Sequence, residues 1–119
     1  MNISKFTQKS VQAVQDLEKI AYEYGNQEIE EEHLLYALLT QEDSLILKLI
    51  EKMEIQKEYF IDTVKRALDA RVKVSGGELR FGQYLNKALV SAEDEAKAMG
   101  DEYVSVEHLF LSMLKNPSP

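Results

Sequence analysis

Two histidines of this 119-residue chain stand in the same short context, Glu32-His33-Leu34 and Glu107-His108-Leu109. Histidine can bind a metal or act as a general base, so these motifs are the first candidates for chemistry. A metal site needs several ligands that converge, whereas a glutamate and the histidine directly after it point to different sides of a helix. We therefore predict that both histidines are structural residues near a helix start, hydrogen-bonded to the backbone or to the other half of the molecule.

Motifs for nucleophilic or nucleotide chemistry are missing from the sequence. There is no cysteine, and no serine lies in a Gly-x-Ser-x-Gly turn. The Gly-x-x-x-x-Gly-Lys-Ser/Thr pattern of a phosphate-binding loop does not occur either. We expect neither enzymatic activity nor a bound cofactor or metal in this chain.

The glutamates of the two motifs have two interpretations. Both fall in the first turn of a predicted helix, where the helix dipole stabilises a carboxylate, and this structural role alone explains their type. In the functional interpretation, Glu32 and Glu107 are symmetry-related carboxylates that face a groove and receive a cationic or N–H group from a ligand.

Charge and composition limit the partners of the protein. The chain has 21 acidic and 14 basic residues and a net charge of −7, which disfavours binding to nucleic acid. No apolar run is long enough to span a membrane, and the N-terminus lacks the apolar region of a signal peptide. We expect a cytoplasmic protein without nucleic-acid or membrane partners.

These motifs belong to an internal repeat. The segment Gly25–Leu39 recurs as Gly100–Leu114, and the match continues upstream without a gap through pairs such as Ala13/Ala88 and Phe6/Phe81. A gapless repeat with like-for-like apolar replacements indicates two copies of one folding unit. We predict one all-α domain with pseudo-twofold symmetry: a first repeat at 6–70, a linker at 71–80 centred on Ser75-Gly-Gly77, and a second repeat at 81–119.

Apolar spacings of three and four residues predict the helices that position the motifs. The first repeat should contain four helices, at Thr7–Tyr24, Glu30–Gln41, Leu45–Met53 and Lys57–Ala70. In the third helix we expect Leu45, Ile46, Leu49 and Ile50 to face inward. The second repeat should contain only two helices, at Gln83–Met99 and Val106–Leu114.

The second repeat therefore lacks counterparts of the third and fourth helices, which predicts that the chain is trimmed from a longer protein. Leu109, Phe110 and Met113 should then lack their usual neighbours and form an apolar patch. Such a patch favours self-association of the domain.

The duplication, the Phe6-Thr7 opening, the two Glu-His-Leu motifs and the Ser-Gly-Gly linker at 75–77 resemble the N-terminal domain of the Clp ATPases. The linker and the segment Gly100–Ser105 are most similar to the disaggregase branch of that family, ClpB. The resemblance implies a domain tethered to a hexameric AAA+ ring, and ATP and magnesium would bind only in that ring, outside this chain.

What the resemblance implies is recognition of unfolded or aggregated proteins before they are threaded through the ring. Thr7, Asp101 and Glu107 fall on positions linked to substrate engagement in ClpB. An apolar groove rimmed by carboxylates would suit such clients, and Leu85, Leu89 and Val90 are the residues that we expect to line it.

The alternative is a docking domain of a ClpC- or ClpA-type protease ATPase, with adaptor proteins or arginine-phosphorylated proteins as partners. Glu32 and Glu107 match the two carboxylates that receive phosphoarginine in ClpC. However, the preceding residues, Glu31 and Val106, differ from the threonine that is usual there.

Overall fold

The computed structural model describes residues 3–74 and 76–117 of the chain. Ser75, at the centre of the predicted linker, and residues 118 and 119 of the predicted second repeat lie outside the described residues. A short 3-10 turn at Ile3–Lys5 is followed by helices and two strands: α1 Gln8–Tyr24, β1 Glu28–Ile29, α2 Glu31–Leu39, α3 Leu45–Lys52, α4 Lys57–Asp69, β2 Arg80–Phe81, α5 Gln83–Ala98 and α6 Val106–Lys115. The all-α class is confirmed, and each predicted helix is present with ends within two residues of the prediction.

The ends of α1 show why the helix boundaries could be predicted. The hydroxyl oxygen of Thr7 accepts a hydrogen bond from the backbone N–H of Ser10, which satisfies a donor that has no partner inside the helix. At the other end, Gly25 adopts a φ of 70° and closes the helix in the left-handed conformation that glycine tolerates.

Two short parallel pairings connect the repeats. Ile29 of β1 pairs with Phe81 of β2, and Phe6 forms an isolated parallel bridge with Val104. Because Phe6 corresponds to Phe81 and Ile29 corresponds to Val104 in the repeat, the two pairings are related by the same pseudo-twofold symmetry. The segment that opens each repeat is therefore paired with the other repeat, and the two halves are interlocked.

The core corrects the prediction of the apolar groove. Leu85 and Leu89 are 0% and 1% exposed, so they cannot line a groove that is open to a client. They lie one turn apart on the face of α5 that packs into the interior. Only Val90, which is 54% exposed, is available at the surface.

The inward face of α3 is narrower than predicted. Ile46 and Ile50 are buried, and Leu49 packs partly against the core, but Leu45 is 41% exposed. Leu45 is the first residue of α3, and the buried stripe is centred on the i, i+4 pair formed by Ile46 and Ile50.

The predicted apolar patch on α6 is mostly covered. Leu109, Phe110 and Met113 are buried, because α6 packs against α5 and α3. The residue left uncovered is Leu114, which is 59% exposed, whereas its counterpart Leu39 is 1% exposed. Self-association through this end of α6 stays a prediction, and light scattering over a concentration series should show a rise in mean mass that Leu114→Lys suppresses. A constant monomer mass would contradict it.

Candidate functional site

Both histidines cap their own helices. The backbone N–H of Glu30 donates to Nδ1 of His33 at 3.0 Å, and the backbone N–H of Ser105 donates to Nδ1 of His108 at 2.9 Å. Each histidine is the third residue of its helix, the position from which glutamate or glutamine usually completes a capping box. The predicted structural role of the histidines is confirmed.

The second ring nitrogen of each histidine binds the loop before the helix. Nε2 of His33 lies 3.0 Å from Oδ1 of Asn26, and Nε2 of His108 lies 2.8 Å from Oδ2 of Asp101. Because Nδ1 is the acceptor in both rings, the hydrogen-bond pattern assigns the proton of the neutral ring to Nε2. Burial, with a smaller effect of the nearby Arg71 guanidinium, lowers the pKa of His33 to about 4, so this ring is neutral near pH 7.

Ser105, His108 and Asp101 together have the residue types of a nucleophilic triad. The hydroxyl oxygen of Ser105 lies 2.9 Å from Nδ1 of His108. The first repeat keeps the same arrangement with Glu30 and Asn26 in place of the serine and the aspartate, so it requires no hydroxyl. We interpret the set as a helix cap in which Asp101 orients His108.

A carboxylate crosses between the repeats at the start of α5. Oε1 of the buried Glu30 accepts a hydrogen bond from the backbone N–H of Leu85 at 3.0 Å. The N-cap of α5 is Gly82, which has no side chain to accept that bond, and a β-carbon there would lie 2.2 Å from the carboxyl carbon of Glu30. Burial raises the pKa of Glu30, although the hydrogen bond from Leu85 opposes this shift.

Thr7 and Glu107, two of the predicted site residues, line one cleft between the repeats. The cleft has a volume of about 200 Å³, and we call it the polar cleft; its lining is Thr7, Lys9, Gln41, Asp43, Leu45, Ser105, Val106 and Glu107. The backbone N–H of Thr7 donates to the carbonyl of Val104, which holds the two sides together. Asp101 is not part of this lining, because it is directed to His108.

A second cleft was not predicted. It has a volume of about 310 Å³ and an almost wholly apolar wall, and we call it the apolar cleft; its lining is Glu31, Glu32, Leu35, Ile50, Met53, Ile55, Phe60, Phe110, Met113, Leu114 and Pro117. The corresponding residues Leu35 and Phe110 both contribute, so the cleft extends across the pseudo-twofold axis. The sequence signal for it was the predicted apolar patch on α6, because Phe110 and Met113 of that patch line the cleft.

The corresponding glutamates Glu32 and Glu107 have different surroundings. Oε2 of Glu32, on the rim of the apolar cleft, accepts a hydrogen bond from Nη1 of Arg71 at 2.6 Å. Glu107 is exposed in the polar cleft and has no cationic partner within 4.0 Å among residues 3–74 and 76–117. The structure therefore does not bring the two carboxylates together in one site.

Two kinds of site are not found in the described part of the chain. No cluster of three or more histidine, aspartate or glutamate side chains there could hold a metal ion. Likewise, none of the helices described is long and apolar enough to cross a membrane.

Sequence comparison finds similar proteins over almost the whole chain. A family model described as the Clp repeat (R) N-terminal domain matches residues 5–118. The chaperone protein ClpB of Nitratidesulfovibrio vulgaris is 42% identical over 123 residues, which cover 99% of this chain and 14% of ClpB. The chain thus spans a small part of the length of this curated relative.

Solved structures have the same fold. The Hsp104 N-terminal domain from Candida albicans superposes with a TM-score of 0.84 at 21% identity, covering 94% of this chain and 75% of that one. The N-terminal domain of the ClpV1 ATPase from E. coli superposes with a TM-score of 0.86 at 21% identity, covering 97% and 71% of the two chains. At these identities the likeness concerns the fold.

Proposed function

The chain belongs to the Clp repeat N-terminal domain family, and from this premise we propose that it recognises clients for a ClpB-type disaggregase. In this proposal it engages exposed segments of unfolded or aggregated proteins and delivers them to an AAA+ ring. The ring, its ATP and magnesium, its hexameric assembly and its cytoplasmic location belong to the proposal, because the chain spans only 14% of its ClpB relative.

The apolar cleft is the observation that carries the proposal. Its wall is built from four helices and includes the half-buried Leu35 and Phe60, and the exposed Met53 and Leu114 flank it. An apolar segment of an unfolded protein could bury its side chains there, at a gain of about 25 cal/mol for each Å² removed from water. Ordering the captured segment costs entropy, so we expect weak and promiscuous binding.

The polar cleft is the second surface that supports the proposal. Thr7 and Glu107 come from different repeats, and the strand-like pairing of Phe6 with Val104 holds them on the two sides of one opening. Glu107 offers an exposed carboxylate that can accept a hydrogen bond from a client backbone or a cationic side chain. Asp101 would contribute indirectly, by holding the cap of the helix that carries Glu107.

Neither the geometry of the two glutamates nor their neighbours favours the phosphoarginine alternative. A phosphoarginine site formed by both glutamates would need both carboxylates to be free for the ligand. The carboxylate of Glu32 already forms an ion pair with Arg71. Docking of folded adaptors remains distinguishable by experiment, because it would show strong salt dependence and no preference for unfolded over folded proteins.

We predict that the double variant Met53→Gln/Leu114→Gln binds a denatured model protein about tenfold more weakly than the parent, because two apolar contacts are lost. Fluorescence anisotropy with a labelled, permanently unfolded protein measures the affinity. Met99→Gln is the matched control, since Met99 and Met53 are 59% and 57% exposed but only Met53 lines the apolar cleft. Equal losses in the double variant and the control would contradict the assignment of the cleft.

The same assay tests the polar residues. Thr7→Ala, Asp101→Ala and Glu107→Gln should each weaken binding while circular dichroism shows unchanged helicity. If all three folded variants bind the unfolded protein as well as the parent, these residues have no part in recognition, whatever the result for the apolar cleft.

A further inference from the structure

One cationic side chain of the protein pairs with a carboxylate that lines the apolar cleft. Nη1 of Arg71 is 2.6 Å from Oε2 of Glu32, and the two side chains are only 26% and 27% exposed. The other arginine–glutamate pair of the described chain, Arg80 with Glu28, is longer, at 3.5 Å, and its side chains are 63% and 41% exposed. The Arg71–Glu32 pair is thus largely shielded from water, whereas the other pair is an ordinary surface contact.

We propose that Arg71 is an internal lid on Glu32, which withholds the rim carboxylate from clients and makes the apolar cleft indifferent to positive charge beside an apolar segment. The inference rests on the proposed function, and it assigns the class of segment that the cleft accepts. With the lid in place, apolar character alone decides binding at this rim.

The backbone on both sides of Arg71 is anchored, so the guanidinium is held in position. Arg71 follows Ala70, the C-cap of α4, and the carbonyl of the next residue, Val72, accepts a hydrogen bond from Nδ2 of Asn26 at 3.2 Å. Two residues later, the backbone N–H of Val74 donates to the carbonyl of Gly25 at 2.8 Å. An anchored internal group competes with any external ligand at an effective concentration in the millimolar range, on the order of that for short linkers.

The contact nevertheless leaves part of the carboxylate unused. Arg71 donates to Oε2 alone, and Oε1 of Glu32 is buried without a hydrogen-bond donor among the described residues. A carboxylate can accept two parallel hydrogen bonds from one guanidinium. Removing Arg71 should therefore expose an acceptor with unmet hydrogen-bonding capacity at the edge of an apolar wall, which suits an apolar segment flanked by arginine.

The test uses two labelled peptides with the same apolar sequence and blocked ends, one flanked by arginine and the other by glutamine. Anisotropy gives the affinity ratio of the two peptides for the parent, for Arg71→Met and for Arg80→Met. Both variants lose one positive charge, so the general attraction of an acidic protein for the arginine peptide rises equally in both. We expect Arg71→Met to favour the arginine peptide about tenfold more than Arg80→Met does, because a new hydrogen bond to a charged group forms.

Two further variants make the outcome decisive. Arg71→Met/Glu32→Gln should return the affinity ratio to that of the parent, because the carboxylate is gone and the net charge is again −7. In Glu32→Gln alone, which leaves Arg71 unchanged, the ratio should equal that of Glu28→Gln, which loses the same charge outside the apolar cleft. This comparison serves if Arg71→Met proves unfolded by circular dichroism. A Glu32→Gln variant with a smaller arginine preference than Glu28→Gln, or a folded Arg71→Met that matches Arg80→Met, would overturn the lid.

Failure of the lid and failure of the proposed function give different results. If both peptides bind the parent and Met53→Gln/Leu114→Gln lowers their affinity, the cleft recognises apolar segments. The role of Arg71 is then tested only by the affinity ratios of the two peptides. If neither peptide nor the unfolded protein binds the parent, the proposed function itself is wrong.

Discussion

Replacing Glu30 by serine is expected to lower the free energy of unfolding by about 2 kcal/mol, because the backbone N–H of Leu85 would lose its buried acceptor. That N–H belongs to the third residue of α5, which an N-cap side chain normally satisfies, but the N-cap is Gly82. Replacing Gly82 by threonine should also cost about 2 kcal/mol, because the new β-carbon would overlap the Glu30 carboxylate.

The two changes together should largely restore stability. The symmetry-related contact already contains this combination: Thr7 of the first repeat caps α1 from its own N-cap, and Ser105 of the second repeat, the counterpart of Glu30, is short. The φ and ψ of Gly82, −74° and 168°, suit threonine, so Glu30→Ser/Gly82→Thr transfers this arrangement to α5. Urea denaturation of the parent, both single variants and the double variant measures the coupling. Additive losses in the double variant would show that the crossing carboxylate and the glycine are not interdependent.

Stability should also fall on mild acidification because of His33. Its folded-state pKa of about 4 lies below the ordinary value of 6.5. Between these two pH values the unfolded chain therefore binds a proton at His33 that the native chain does not bind. The contribution of neutral His33 is complete above pH 6.5 and is lost as the pH falls toward 4. Two and a half pH units correspond to a loss of roughly 3 kcal/mol at most.

Glu30 has the opposite effect on the pH dependence of stability. Its pKa is raised in the native state, so protonation of Glu30 favours the folded chain as the pH falls below the raised value. The effect of His33 should therefore be clearest between pH 6.5 and 5.5, above the ordinary pKa of a carboxylate. Urea midpoints measured across this interval should decline in the parent and much less in His33→Gln, which keeps an acceptor for the cap but cannot titrate there. Parallel declines in the two proteins would assign the pH dependence to other groups.

Local signals explain what the sequence predicted correctly. Thr7, Gly25 and the apolar spacings determine structure through contacts within a single helix, so the helix ends could be predicted from residue types. The pseudo-twofold arrangement followed from the sequence repeat. The strands escaped prediction because two residues cannot show an alternating pattern.

What the sequence missed depends on contacts between distant segments. Leu85 and Leu89 have the same apolar character whether a helix faces a groove or the core, and only packing distinguishes the two. The partner of Glu32 was equally hidden, because Arg71 lies 39 positions away and comes close only after α4 has folded back on α2.

The pairing of Phe6 with Val104 has a consequence for how the chain reaches its native state. Helical proteins usually fold fast because most of their contacts join neighbours in sequence. Here the opening residues must wait for a segment near the other end of the chain, and the loop that closes costs entropy before the contact forms. During synthesis on a ribosome, the first repeat would emerge without the strand partner of Phe6. Its apolar surface would then stay exposed until α6 appeared, so this domain would itself be open to capture by a chaperone while it is made.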